Sequence, residues 1–223
     1  MFNLGFLLID LKFEITEKTR KIFFDFDGVL VDSNKFKEES IDKSIKIFEK
    51  KKDIQQKSIL YFNENAGIAR EKKLLKFFNK RKVEKIMSKY SDYCNEFLSF
   101  ANLTTGSEEF IYQISNIYPN IQLFILSGAE KNEISMFLKS KNIYSKFQAL
   151  LCSEKSKYEH LKSFELCEND FFLGDSKNDL MVSKSFPLSF ILVTDFGSDC
   201  STPHKDELDD NIIITKNLSQ LLL

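Results

Sequence analysis

The sequence predicts an α/β protein, a Rossmann-like open parallel sheet that carries an inserted α-helical domain. Apolar segments typical of buried strands alternate with segments of helical periodicity along most of the 223 residues, which is the pattern of an open α/β sheet. One long stretch after the first strand has helical periodicity only. We therefore expect a core formed by residues 1–33 and 103–223 and a helical cap formed by residues 34–102.

Six apolar segments are candidates for the strands of the core. Several are continuously apolar, as expected of central parallel strands that helices cover on both faces. The candidates are Ile22–Phe26, Ile121–Leu126, Phe147–Leu151 (the weakest), Phe171–Leu173, Phe190–Val193 and Ile212–Ile214. Two shorter pieces, Phe6–Ile9 and Phe13–Ile15, are expected to be strand-like segments that flank the core.

Helices are predicted where apolar residues recur at helical spacing. In the core, Ser107 is expected to be the N-cap of one of them. The core positions are Phe110, Ile111, Ile114 and Ile117, then Ile134, Phe137 and Leu138, then Tyr158, Leu161 and Phe164. The cap positions are Ile41, Ile45 and Phe48, then Leu74, Phe77 and Phe78, then Met87, Tyr90, Cys94 and Phe97.

The composition is typical of a globular protein and gives no indication of a strongly charged binding partner. Hydrophobic residues make up 43%, charged residues 29%, and the formal net charge is −1, so we expect no nucleic acid or membrane surface as partner. No secretion signal and no apolar run of about 20 residues is found. The four cysteines lack metal-ligand spacing. We therefore expect a cytoplasmic protein with reduced thiols; the sequence does not indicate its oligomeric state.

The segment Asp25-Phe-Asp-Gly-Val-Leu-Val-Asp-Ser33 carries the strongest functional pattern. It places Asp25 and Asp27 at the carboxyl end of an apolar strand, where open α/β sheets bind ligands. Gly28 then permits a sharp turn. Because two carboxylates held close together repel each other, a divalent cation would stabilise them. A surface turn rich in Asp and Gly is the alternative interpretation.

Three further segments carry groups suited to phosphate chemistry. The segment Gly174-Asp175-Ser-Lys-Asn-Asp179 follows another apolar strand, and its carboxylates would add oxygen ligands of the kind that Mg²⁺ prefers. Ser127 and Gly128 also follow a strand, where a hydroxyl and free backbone amides can bind phosphate. Lys155 and Lys157 precede a helix and could place a positive charge there. Taken singly, each segment also fits an ordinary turn or a solvated lysine.

In this order, the four segments resemble the four motifs of the haloacid dehalogenase-like superfamily, over Ile22 to Val193. The resemblance implies an Mg²⁺-dependent phosphatase in which Asp25 is the nucleophile and a metal ligand. It also implies that Asp27 is the general acid and base, with a raised pKa when it protonates the leaving group. Asp27 would in addition bind the metal through its backbone carbonyl.

The resemblance assigns the remaining motif residues as well. Asp175 is implied as a metal ligand, and Asp179 as a residue that reaches the metal through water or orders the loop. Ser127, with Gly128, would hold the transferring phosphoryl group. Lys157 would be the lysine of the family. Lys155 stays an alternative, because the Lys-Pro usual in the family is absent here.

The helical stretch 34–102 lies where the first-type cap of this family is inserted. Within it, Ala66–Leu75 resembles the cap loop of β-phosphoglucomutase-like and sugar-phosphatase members. This implies that Arg70 binds an oxyanion of the substrate, for which its planar guanidinium is suited. A solvated arginine in a charged helix is the alternative. Asn34 and Lys35, at the hinge between core and cap, are further candidates for substrate contact.

The expected function is hydrolysis of a small phosphorylated metabolite, either a sugar phosphate or a phosphoglycolate-like acid. The resemblance places the chain in the phosphoglycolate phosphatase and β-phosphoglucomutase-like branch, and an acid at Asp27 favours phosphate esters over other leaving groups. One alternative is a phosphomutase, in which phosphorylated Asp25 returns its group to a sugar. The other is a catalytically inactive binding protein that has kept the fold.

Overall fold

The computed structural model describes residues 13–65, 69–197, 203, 208 and 212–222. Six strands are present: β1 (Lys21–Phe24), β2 (Gln122–Leu126), β3 (Phe147–Leu151), β4 (Phe171–Gly174), β5 (Ser189–Val193) and β6 (Ile213–Thr215). They form one sheet in the order β3-β2-β1-β4-β5-β6, with every neighbouring pair parallel. This confirms the predicted fold class, and all six strand candidates lie in the sheet.

The continuously apolar strands are explained by burial on both faces of the sheet. In β1, Ile22 and Phe24 belong to the larger core cluster on one face, whereas Phe23 belongs to a second cluster on the other. Phe23 stacks on Phe124 of β2 at a centroid distance of 5.0 Å, and Phe164 packs edge-on against both rings. Much of the phenylalanine in this chain therefore fills the core around the sheet, where aromatic rings bury a large apolar area.

Eight α-helices accompany the sheet in the described part of the chain. Four follow β1 in succession and end before Leu103: α1 (Asn34–Phe48), α2 (Lys52–Glu64), α3 (Arg70–Leu75) and α4 (Lys80–Phe100). The other four alternate with strands or lead into them: α5 (Ser107–Ile117), α6 (Lys131–Ser140), α7 (Lys157–Leu161) and α8 (Lys177–Ser183). None of the described helices is both long and apolar enough to cross a membrane.

Helices α1 to α4 pack around a hydrophobic cluster of their own, which includes Ile41, Leu74 and Tyr90 and is separate from the two clusters of the sheet. The chain enters and leaves this helical unit side by side, because Val31 forms an antiparallel bridge with Leu103. The two connections of the helical unit thus lie side by side; that this unit acts as a cap stays a prediction.

Two local predictions are wrong. Phe13–Ile15 is not a strand; Phe13 and Ile15 are buried in the main core cluster from an irregular segment. The N-cap of α5 is Gly106, at a φ of +79°, and Ser107 is the first helical residue. The Ser107 hydroxyl instead lies 2.5 Å from the hydroxyl of Thr104. The strand-like piece predicted at Phe6–Ile9 lies outside the described residues.

Candidate active site

Three buried carboxylates meet at the carboxyl ends of two neighbouring strands. Asp25 directly follows β1, and Asp175 directly follows β4. The chain adds β2 and β3 on one side of β1 and β4 to β6 on the other, so these two strand ends flank the topological switch point where open α/β sheets bind ligands. Asp25, Asp175 and Asp179 each offer one oxygen, and these oxygens lie within 4.8 Å of one another.

Two glycines, Gly28 and Gly174, lie so close to the carboxylates that there is no room for a side chain at either position. Gly28 has a φ of +76°, and a Cβ at this position would lie 2.3 Å from Oδ2 of Asp175. At Gly174, a Cβ would lie 2.5 Å from the Cβ of Asp179. A side chain at either position would therefore displace a carboxylate of the cluster. At Gly28 this close contact excludes other residues more strongly than the turn does, for which the sequence predicted a glycine.

Asp179 is fixed through both of its carboxylate oxygens. Ser176 is the N-cap of α8, and its hydroxyl donates to Oδ2 of Asp179 at 2.6 Å while accepting from the Asp179 backbone N–H at 3.2 Å. The other oxygen, Oδ1, accepts a hydrogen bond from the Lys157 ammonium at 2.5 Å. This capping box orders the loop after β4 and aims the carboxylate at the cluster.

Lys157 is the cation of this cluster. It is the first residue of α7, whose N-terminus is held by a capping box between Ser156 and Glu159. Its Nζ lies 2.7 Å from Oδ2 of Asp25, in addition to its contact with Asp179. Burial lowers the pKa of Lys157, but the two carboxylates outweigh burial and the pKa is raised. Of the two lysines considered from the sequence, Lys157 thus contacts the aspartates, while Lys155 is exposed.

The cluster has more negative than positive charge. Three carboxylates face one ammonium group, which leaves two negative charges unbalanced when all are ionised. Burial, together with Asp179 and Asp27, accordingly raises the pKa of Asp25 in spite of Lys157. Burial and the same kind of repulsion raise the pKa of Asp175. Buried carboxylate oxygens with two excess charges fit a hard divalent cation such as Mg²⁺.

The side chain of Asp27 lies outside this group of three. Its Oδ1 accepts a hydrogen bond from the Ser33 hydroxyl at 2.5 Å and lies 2.6 Å from Nζ of Lys37. Burial works to raise the pKa of Asp27, but Lys37 and Arg70 outweigh burial and the pKa is lowered. In this arrangement Asp27 is ionised, as a proton acceptor must be, whereas the raised pKa expected for leaving-group protonation is not found. The predicted contact of its backbone carbonyl with the metal stays a prediction.

Helices α1 and α3 contribute two cations beside Asp27. Lys37 of α1 lies 3.0 Å from Oε1 of Glu133, a buried residue of the core helix α6. Arg70, at the start of α3, lies 3.6 Å from Oε2 of the same carboxylate, and its guanidinium lies 5.1 Å from the centre of the Tyr90 ring. The side chain of Arg70 is only 16% exposed, so the alternative of a solvated arginine is wrong.

Lys37 and Glu133 were not predicted from the sequence as site residues, although helical spacing places each of them on the same helix face as a residue that was considered. Lys37 is three residues after Asn34 in α1, which places the two on one face of that helix. Glu133 precedes the buried Phe137 by four residues and so lies on the buried face of α6. A charged residue on a buried helix face needs a partner of opposite charge. A lysine and a glutamate at such positions in two predicted helices could therefore have indicated an ion pair.

Ser127 and Gly128 follow β2 at the same edge of the sheet. Ser127 is buried, and its hydroxyl oxygen accepts a hydrogen bond from the backbone N–H of Ala129 at 3.1 Å. Gly128 is exposed, and a Cβ there would meet no atom of the described residues within 4 Å. The backbone at this turn therefore has open space in front of it.

Asn34, predicted as a substrate contact, lies against the carboxylate cluster. Its side-chain amide donates to Oδ2 of Asp175 at 2.7 Å and to the backbone carbonyl of Phe196 at 2.8 Å. Lys35, the neighbouring candidate, is exposed. The first part of the predicted cap loop, residues 66–68, lies outside the described residues.

Comparisons with known proteins agree with this geometry. The model of the family described as haloacid dehalogenase-like hydrolase matches residues 22–193, and the chain belongs to this family of enzymes. Among solved structures, similar folds include a predicted phosphoglycolate phosphatase from Haemophilus somnus (17% identity, TM-score 0.69, covering 92% of this chain and 96% of that one). Another is CbbY from Rhodobacter sphaeroides in complex with phosphate (14%, TM-score 0.63, 92% and 100%). No curated protein matched the sequence.

Proposed function

We propose that this protein is an Mg²⁺-dependent phosphomonoester hydrolase that transfers the phosphoryl group of a small metabolite to Asp25 and then to water. The observation that carries this proposal is the buried cluster of Asp25, Asp175 and Asp179, bridged by Lys157. Membership of the hydrolase family supports the reaction class. The metabolite we propose is a sugar phosphate or a phosphoglycolate-like acid, since one relative of the same fold is described as a predicted phosphoglycolate phosphatase.

In the first half of the reaction, a carboxylate oxygen of Asp25 attacks the phosphorus atom in line with the leaving oxygen. The bond between phosphorus and the ester oxygen breaks, and that oxygen takes a proton from Asp27 as the alcohol leaves. Lys157 holds Asp25 in place through its 2.7 Å contact. Asp27 has to carry the proton at this step, so the leaving group must alter the ion pair with Lys37 that keeps Asp27 ionised.

In the second half, water attacks the phosphorus atom of phosphorylated Asp25. Asp27, now ionised, accepts the proton from that water, and the bond between Asp25 and phosphorus breaks to give inorganic phosphate. Asp25, Asp175 and Asp179 would hold Mg²⁺, which when bound offsets the repulsion between these carboxylates and the phosphate oxygens. Ser127 and the backbone at Gly128 are proposed to hold the phosphoryl oxygens, because a buried hydroxyl and an open backbone turn lie there.

The helical unit 34–102 is proposed to act as the cap that covers the site and selects the leaving group. Its Lys37 contacts Asp27, and its Arg70 reaches the same ion cluster through Glu133. A cap that closes also excludes water from the phospho-enzyme. We place this activity in the cytoplasm, in keeping with the free thiols of Cys94, Cys152 and Cys167.

The test is turnover of a panel of phosphorylated metabolites with Mg²⁺ and with a chelator. We expect release of phosphate that requires Mg²⁺ and is abolished in Asp25→Asn. The matched control is Asp32→Asn, which changes an exposed aspartate of the same segment and should keep full activity. Turnover by the Asp25→Asn protein would exclude the covalent route, and inactivity of the wild type on the whole panel would favour the non-catalytic alternative.

The phosphomutase alternative has one observation in its favour, the buried position of Arg70 beside Tyr90, because a second phosphate of the substrate could reach a cation there. The two reactions differ in the acceptor of the phosphoryl group. Incubation with a β-hexose 1-phosphate and a trace of the bisphosphate separates them: a mutase yields the 6-phosphate faster than it releases inorganic phosphate.

A further inference from the structure

Glu133 is a core carboxylate between the two cap cations. It extends from α6, it is 7% exposed, and its two oxygens lie 3.0 Å from Nζ of Lys37 and 3.6 Å from a guanidinium nitrogen of Arg70. We infer that Glu133 determines which leaving groups the enzyme accepts: it disfavours leaving groups with a second phosphate and admits those that are uncharged or carry one carboxylate. This inference rests on the proposed function, since it concerns the same site.

The first step of the argument is the position of the ion cluster. Lys37 contacts both Asp27 and Glu133, so these three charges form one group. The leaving oxygen must approach Asp27 in the proposed reaction. The rest of the leaving group must therefore lie near Lys37, and a substituent on its far side comes within reach of Arg70 and Glu133.

The second step is the charge count of this group. Lys37 and Arg70 contribute two positive charges, and Asp27 and Glu133 contribute two negative charges, so the group is balanced before substrate binds. An uncharged leaving group keeps this balance, and a carboxylate adds one charge. A second phosphate adds about two, which a buried group that already contains Glu133 cannot offset. Without Glu133, the group would carry one net positive charge, which offsets part of the charge of such a dianion.

The third step concerns the nature of the contacts. Nζ of Lys37 and Oε1 of Glu133 are buried, yet among the described residues neither has a partner in hydrogen-bond geometry. The contact between them is therefore an ion pair without a directed hydrogen bond, and incoming oxygens of a substrate could compete for the same ammonium. A carboxylate that served only to lock the cap onto the core would be expected to make directed hydrogen bonds, which are the stronger kind of contact.

The test measures binding in the Asp25→Asn background with Mg²⁺, where the esters stay intact. Three ligands share a two-carbon skeleton and differ only in the far group: ethyl phosphate, 2-phosphoglycolate and ethylene glycol bisphosphate. Calorimetry should show that Glu133→Gln binds the bisphosphate roughly tenfold more tightly, the size expected for one partly screened charge contact. Binding of 2-phosphoglycolate should strengthen less, and binding of ethyl phosphate should stay the same.

Two further variants make the outcome decisive. Glu130→Gln changes an exposed glutamate at the N-cap of the same helix and should leave all three dissociation constants unchanged. The double variant Arg70→Met/Glu133→Gln restores the charge balance and should lose the gain for the bisphosphate. Equal changes for all three ligands would show that Glu133 only holds the cap. Weaker binding of ethyl phosphate by Glu133→Gln, or no change at all, would also overturn the inference.

Failure of this inference is distinguishable from failure of the proposed function. Wild-type turnover that depends on Mg²⁺ and Asp25, combined with unchanged ligand preference in Glu133→Gln, would refute the role of Glu133 alone. Absence of turnover with the expected shift in preference would refute the hydrolase and leave Glu133 as the residue that sets the charge of a binding pocket.

Discussion

Removing the Lys157 ammonium should destabilise the metal-free protein, and by an amount that depends on pH. Lys157→Met deletes the positive charge that lies 2.7 Å from Asp25 and 2.5 Å from Asp179, and leaves the three buried carboxylates without this partner. Deleting one partner of a buried ion pair typically costs about 3–5 kcal/mol. For a chain of this size each kcal/mol lowers Tm by ~2–4 °C, so Tm should fall by ~6–20 °C at pH 8 in a chelator.

The sign of the pH dependence follows from the direction of the pKa shifts. Burial raises the pKa of Asp25 from 3.8 to about 8, and a carboxyl with a raised pKa in the folded state stabilises the fold at low pH and loses that contribution as the pH rises towards 8. Without Lys157 the pKa of this carboxyl rises further. At pH 5 the carboxyls can take up protons and relieve their repulsion, so the loss of Tm in Lys157→Met should be smaller than at pH 8.

Differential scanning calorimetry of three proteins decides this prediction. The wild type, Lys157→Met, and Lys155→Met as a control at an exposed lysine, are compared in a chelator at both pH values, and the wild type and Lys157→Met are measured again with Mg²⁺. Mg²⁺ should restore more of Tm in Lys157→Met than it adds to the wild type, because the variant cluster carries three unbalanced charges instead of two. An equal loss of Tm at pH 5 and pH 8 would refute this electrostatic account.

Three further predictions concern the metal, the acid and the cap. Because the pKa of Asp25 and of Asp175 is raised, Mg²⁺ binding near pH 7 should release protons, so the calorimetric heat should vary with the ionisation enthalpy of the buffer; a heat independent of buffer would contradict this. Asp27→Asn should slow both formation and breakdown of the phospho-enzyme, which rapid-quench measurement of burst and steady state can check; unchanged rates would count against its acid–base role. Arg70→Ala should raise KM for substrates with an anionic leaving group and leave KM for ethyl phosphate unchanged; an equal rise for both would assign Arg70 to the fold of the cap.

The sheet could be predicted because its signal is local. Each strand of a parallel sheet covered on both faces must be apolar at consecutive positions, and the four inner strands β1, β2, β4 and β5 satisfy this over at least three residues each. Phe13–Ile15 also has two apolar residues, on either side of Glu14, but it is not a strand, and the side chains of Phe13 and Ile15 enter the core from an irregular segment. Apolar composition marks burial, and only pairing with a neighbour makes a strand; this pairing is not visible in a short segment.

The site could be predicted where its residues follow strands. Asp25, Ser127 and Asp175 each come directly after a strand of the sheet, so the order of the strands brings them to one edge. Glu133 and Lys37 depend instead on how the cap lies over the core, which no local pattern specifies. The choice between Lys155 and Lys157 is of the same kind, because it rests on where α7 begins: the capping box at Ser156 sets that start.

Asn34 lies between the carboxylate cluster and the helical unit. It is the first residue of α1, the helix that leads into the cap, and its amide binds Oδ2 of Asp175 in the carboxylate cluster at 2.7 Å. Lys37, one turn later on the same helix, contacts Asp27. A rotation of α1 would therefore move two side chains together. One is Asn34, which binds the proposed metal ligand Asp175, and the other is Lys37, which contacts the proposed acid Asp27. If the helical unit acts as the proposed cap, its opening would change the charge environment of both carboxylates, so closing over the substrate and preparing the carboxylates would be one movement.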